Sequence, residues 1–108
     1  MSKLDAEILS RLIIILESAR ARKPMYFSPV EPIAVEHWLN GLRTGCSLAG
    51  LEWSPDYRRP ALERRNLEET AAWEAEPLAR RGLGPEAIVD ELLAIEVEMW
   101  RDADGLAD

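Results

Sequence analysis

The amino-acid sequence predicts an all-α fold, a single compact bundle of four to five helices. Three observations lead there. Apolar residues recur at the three-to-four spacing of a helix over several long stretches. Proline and glycine divide those stretches cleanly. Nowhere does an alternating run of Val, Ile or Thr stand between hairpin turns, as a strand requires.

The first helix runs from Ser2 to about Ala21, with Ser2 or Asp5 as N-cap and Arg20, Arg22 and Lys23 near its C-terminus. On its wheel Leu4, Ile8, Leu12, Ile15 and Ala19 fall together, and Leu9, Ile13 and Leu16 widen the stripe to nearly half the circumference. Ile14 lies outside it. A helix this apolar is either central or covers a partner chain as well.

Residues 23–32, KPMYFSPVEP, hold three prolines and cannot be helical throughout. A second helix starts near Glu31 or Pro32 and ends near Gly50. Ala34, Trp38, Leu42, Gly45 and Ala49 share its apolar face, flanked by Val35, Leu39, Gly41, Cys46 and Leu48; Glu36, Asn40, Arg43 and Ser47 lie opposite. Gly41, Gly45 and Ala49 recur every four residues. Each glycine costs about 1 kcal/mol of helix propensity, so this spacing predicts a close helix contact, within the chain or across a homodimer.

Beyond the Ser54-Pro55 turn, residues 57–81 predict two short helices, because Leu62 and Trp73 share one side whereas Leu67, Ala71 and Leu78 share another. The breaks fall near Asn66 and before Pro77. Gly82 and Gly84 end that segment, and Pro85 opens a final helix to about Arg101. Residues 1–101 make one helical domain and 102–108 a short, frayed acidic tail.

Charge is distributed unevenly. The chain carries 20 acidic and 13 basic residues, a net charge of −7. Residues 1–54 hold six acids and six bases, residues 55–85 again six of each, and residues 86–108 eight acids against Arg101 alone. This argues against gripping nucleic-acid phosphates. No stretch approaches the roughly 18 apolar residues of a membrane span, and Asp5, Glu7 and Arg11 interrupt any signal peptide at the N-terminus. A single cysteine, Cys46, excludes a disulfide framework and a thiolate zinc site, and a reducing cytoplasm is the expected compartment.

Glu96 is the sharpest anomaly. It projects between two apolar lines of the final helix, Ile88-Leu92-Ile95-Met99 and Val89-Leu93-Trp100. A carboxylate aimed at the core needs a partner. The candidates are His37, Arg43, Tyr26 or a tryptophan indole N–H. His37 is the only histidine, without an HExxH or second imidazole for a metal. The other acids of the final helix face solvent and do not form facing pairs for a di-metal site. The ExxE and ExxD runs of helical nucleotide pyrophosphatases are not reproduced, which weakens a carboxylate-metal hydrolase. Cys46 sits within a helix as a small hydrophobe, and no GxSxG, P-loop or dinucleotide motif is present. Arg58-Arg59 and Arg64-Arg65 are the best case for phosphate binding, with Glu68 and Glu69 placed to offset the second pair. Met25, Tyr26 and Phe27 either plug the open end of the bundle or form a recognition patch, which Trp53 and Tyr57 would extend.

The stretch Arg22-Lys23-Pro24-Met25-Tyr26, followed by Val30 to Gly50 with Trp38-Leu39-Asn40-Gly41, resembles small uncharacterised bacterial helical proteins. Their basic-Pro-x-Met-Tyr turn also precedes a Gly-containing helix. Some proteins of that look are regarded as immunity or accessory proteins for toxins. The resemblance implies an accessory role and carries over no catalytic residue; Phe27 stands where it would place a small residue.

These readings converge on a small non-enzymatic interaction protein without cofactor or metal. It would meet a protein partner, basic in character, through its acidic last helix and the Tyr26-Phe27 loop. The alternative is a homodimer binding a small molecule near Glu96, His37 and Tyr26. Glu96, His37, Tyr26, Phe27 and Arg43 are the candidate binding residues.

Overall fold

A computed structural model describes residues 5–69 and 73–106 of the chain. Ser2, Leu4, Ala71 and Asp108, named above, lie outside them. Among the described residues every regular element is helical: α1 (Ala6–Ala21), α2 (Lys23–Tyr26), α3 (Pro32–Leu48), α4 (Arg59–Arg64), α5 (Ala75–Arg80) and α6 (Pro85–Leu106). A single 3-10 turn, Pro55–Tyr57, precedes α4. The fold is all-α, as the periodicity predicts.

Local chemistry sets the ends of these helices. The Asp5 carboxylate accepts from the backbone N–H of Glu7 (3.0 Å) and Ile8 (3.1 Å), so it is the N-cap of α1. Pro32 and Pro85 each open a helix, where a missing N–H costs nothing. At the C-terminal ends, Gly50 (φ 94°), Asn66 (φ 54°) and Gly82 (φ 90°) take the left-handed conformation. The next residue then closes back: Leu51 N–H donates to Cys46 O (2.8 Å) and Leu67 N–H to Leu62 O (2.9 Å). Asn66 is thus the break expected from the change of apolar face. The second break falls before Ala75, with Pro77 accommodated in the first turn of α5, where its ring meets no preceding helical carbonyl.

The longest helix is the hub. Ile88, Val89, Leu92, Leu93, Ala94, Ile95, Val97, Met99, Trp100 and Ala103 are all buried, so α6 is enclosed on more than one side. α1, α3, α4, α5 and the 3-10 turn each pack against it. The centre of the fold is therefore α6 and not α1, which buries Leu9, Leu12, Leu16 and Ala19 and leaves Ile14 and Ile15 exposed. The buried apolar side chains form one continuous cluster. The radius of gyration, 13.6 Å, is close to the roughly 13 Å of a compact chain this long. Helix α6 also passes the end expected at Arg101. Ala103 is fully buried and Asp102 is held by Arg64, so the first residues assigned to a frayed tail belong to the body.

Two further expectations are corrected. Gly41, Gly45 and Ala49 are exposed, and beyond the local backbone of α3 itself no described heavy atom lies within 4 Å of a Cβ built on either glycine. Among the described residues no close helix contact uses that stripe. The inward face of α3 is instead Val35, Leu39 and Cys46. The acids of α6 are not simply solvated either. Asp90 accepts from Arg20 (3.1 Å) and pairs with Lys23 (2.9 Å). Glu91 pairs with Arg65, Glu98 with Arg64 and Arg65, and Asp102 with Arg64 (2.7 Å). Arg64 and Arg65 are thereby consumed within the chain, as is Arg59 by Asp56 and Glu69, and among the described residues neither Glu68 nor Glu69 pairs with Arg64 or Arg65.

These pairs give the fold an acid limit. Hydrogen bonds from Arg65 hold the Glu98 carboxyl below the ordinary 4.5, and those from Arg20 hold Asp90 below 3.8. A lowered folded-state pKa contributes stability above the unfolded value and loses it as pH falls through the folded one. Thermal unfolding should therefore be flat near neutrality and decline once pH drops below about 4.5. Glu98→Gln should lower the midpoint at pH 7 and show a smaller further loss in acid. A gap between the two proteins that stays constant down to about pH 2 would contradict this origin.

Candidate functional site

Glu96 lies one turn from both Leu92 and Trp100 on α6, with 1% of its side chain exposed. Left alone there, a carboxylate would cost several kcal/mol. Its partner comes from α3. Arg43 is on the polar side of the α3 wheel, but its long side chain crosses to α6 and forms a two-pronged pair. Nε donates to Glu96 Oε2 at 2.8 Å and Nη2 to Oε1 at 2.6 Å. The Trp100 indole N–H adds a third bond to Oε2 at 3.3 Å. Both carboxylate oxygens are satisfied.

The cation is enclosed in turn. The ring centroids of Trp53 and Trp73 each lie 4.3 Å from Arg43 Cζ. Desolvated contacts of this kind contribute up to about 2 kcal/mol. Trp53 is itself fixed by donating its indole N–H to Met99 Sδ at 2.9 Å. One ion pair therefore gathers α3, the segment after it, the segment before α5, and α6.

A second buried pair stands beside the first. Glu74, 1% exposed, forms an ion pair with Arg58, whose guanidinium lies 5.7 Å from the Trp73 ring. Burial pushes the Arg58 pKa down, the Arg43 charge pushes it further, and Glu96 opposes. Guanidinium stays protonated regardless. Arg43-Glu96 and Arg58-Glu74 thus make a charge-neutral quartet around Trp73. The sequence periodicity places Glu74 within a helix and assigns it no role, whereas in the structure Glu74 precedes α5 and is buried against Arg58.

The other candidates do not join this cluster. Tyr26 donates its hydroxyl to Ser18 Oγ (2.9 Å) and sets its ring edge-on to Trp38, with centroids 5.8 Å apart. Phe27 packs against the same indole and is buried in the core, so it plugs the end of the bundle and presents nothing to a partner. His37 is on the exposed side of α3. Trp53 and Tyr57, expected to extend the aromatic loop, serve the Arg43 and Trp100 surroundings instead. Burial pushes the Cys46 thiol up, with the Glu96 charge adding to the effect, which is the opposite of an activated thiolate. Among the described residues no three His, Cys, Asp or Glu side chains are grouped to hold a metal ion.

Comparison with protein-family models, with curated proteins and with solved structures returns no match.

In chemical terms the quartet holds charge in place. Glu96 accepts on both oxygens from Arg43 and Trp100, and each guanidinium faces a carboxylate of its own chain. Removing one member of a buried pair leaves the other charge uncompensated, at a cost of about 3–5 kcal/mol. Glu96→Gln, which keeps shape and removes charge, should lower unfolding free energy in urea by about 3 kcal/mol. A loss below about 1 kcal/mol, the range of exposed pairs, would mean that water reaches the pair.

Proposed function

We infer that this protein is a non-enzymatic accessory protein that binds a protein partner, immunity-like in the sense the sequence resemblance implies. One observation carries the reading. The residues with chemical potential, Glu96, Arg43, Glu74 and Arg58, are spent on one another, whereas large apolar side chains remain at the surface of a rigid helical body.

The contact surface is the corner where α2 leads into α3. Met25 is 76% exposed there, Tyr26 is exposed next to it in the chain, and Ile33 is exposed in the first turn of α3. The corner is held from behind by the Tyr26-Ser18 hydrogen bond and by Phe27 and Trp38, so its apolar groups are presented by a fixed backbone. The acidic last helix is a poorer candidate than its composition suggests. Asp90, Glu91, Glu98 and Asp102 already meet arginines of the same chain, which leaves Glu86 and Asp104 exposed. Attraction of a basic partner is correspondingly small, and the contact should resist salt. The small-molecule alternative has less support, since Glu96, His37 and Tyr26 face three different environments.

The test is affinity purification of the tagged full chain from its native host, beside the Met25→Asp variant. The expected result is one protein recovered in near-stoichiometric amount with the unmodified chain, retained in high salt, and lost with Met25→Asp at unchanged thermal midpoint. Equal recovery with both proteins would remove the corner from the account. Recovery of nothing specific would remove the binding function.

A further inference from the structure

The outer face of α3 is unlike the rest of the surface. Between Glu36 and Glu52 its exposed residues are His37, Asn40, Gly41, Thr44, Gly45, Leu48, Ala49 and Gly50, and no carboxylate, guanidinium or ammonium is among them. The cause is Arg43, the one charged side chain of that stretch, which turns inward to Glu96. Thr44 is satisfied too, donating its hydroxyl to Asn40 O at 2.9 Å. On this neutral face Leu48 is 87% exposed, the most exposed large apolar side chain described. One and two turns before it, Gly45 and Gly41 leave open space where side chains would stand.

We propose that the outer face of α3 is the contact between two copies of this chain, paired antiparallel about a two-fold axis near Thr44 and Gly45. The occupant follows from charge and shape together. Each copy carries a net charge of −7, so like-charged copies repel wherever carboxylates meet. The α3 face removes that repulsion at the point of contact, and it offers a cation-seeking or anion-seeking partner nothing to hold. It is also self-complementary. Antiparallel pairing sets Leu48 over Gly41 of the partner subunit, and by symmetry the reverse, so one projection fills the space the other leaves. The absent Cβ atoms at both glycines let the helices approach closely, which accounts for glycines that packing within the chain does not use. Beside α3, an open and mostly apolar groove lined by Ile8, Arg11, Leu12, Ile15, Leu42 and Cys46 continues towards α1, with the Arg11 charge met by Glu7 of the same helix.

A stable interface covers about 800 Å² per partner. A contact led by one helix about 25 Å long falls at the small end of that scale, so the dimer is expected to be weak and concentration-dependent. Ile33 of the α2 corner stands one turn before His37 on α3, but Met25, whose substitution tests that corner, lies on α2 outside this face, so the two readings fail independently.

Sedimentation velocity on the full chain, from about 5 to about 500 μM, tests the proposal. The expected result is a concentration-dependent dimer. It should tighten at least about threefold between low and high salt, because screening relieves the repulsion and no interfacial ion pair is lost. Leu48→Glu should weaken it at least about tenfold at unchanged thermal midpoint, since the residue is exposed in the monomer. Met25→Glu adds the same charge elsewhere and should leave it nearly unaltered. A chain monomeric at every concentration would overturn the proposal. So would a dimer that Leu48→Glu leaves intact, or one that salt weakens.

Discussion

A carboxylate at the middle of the central helix is the constraint from which most of this structure follows. Glu96 is enclosed by α6 and its neighbours, and only a cation brought by a long side chain can meet it there without opening the core. Arg43 does so with both prongs of its guanidinium. Having left water, that guanidinium is covered by Trp53 and Trp73. Those contacts in turn tie Trp53, after α3, and Trp73, before α5, to the pair. The pair does not have to add net stability to matter. It determines which turn of α3 faces which turn of α6.

The same principle holds more loosely along the rest of α6. The acid excess of the last 23 residues looks in the sequence like surface charge offered to a partner. In the fold it meets the arginines of α1, α4 and the α3 pair, so a neutral body and an acidic helix are complementary parts of one molecule. What remains for recognition is the apolar surface at the α2 corner and the uncharged outer face of α3. The second exists because Arg43 turned away from it.

The all-α class, the helix starts at Pro32 and Pro85 and the break at Asn66 were legible because each rests on local chemistry: a proline ring, a left-handed residue, an apolar period. Glu96 was legible as a misplaced charge, with Arg43 and a tryptophan indole among its candidate partners. The indole turned out to be Trp100 of the same helix, one turn away. The α3 glycines were misplaced because a wheel ranks faces by mean polarity and cannot know that Arg43, on the polar side, reaches inward and draws that side toward the core. The burial of α6 on several sides, the Arg58-Glu74 pair and the arginine partners of the α6 acids depend on contacts between residues distant in sequence. Periodicity does not encode them.

The central claim is that Arg43 and Glu96 are needed as a pair, for each other, and not individually for chemistry or solvation. A double-mutant cycle with Arg43→Met and Glu96→Leu, read as unfolding free energy in urea, tests it most directly. Each single change strands a buried charge or removes its partner and should cost about 3–5 kcal/mol. The double change should recover most of that loss and cost less than either single change, which corresponds to a coupling energy of at least about 3 kcal/mol. Additive losses, with no recovery in the double variant, would show that the two residues stabilise the fold independently and would contradict the account.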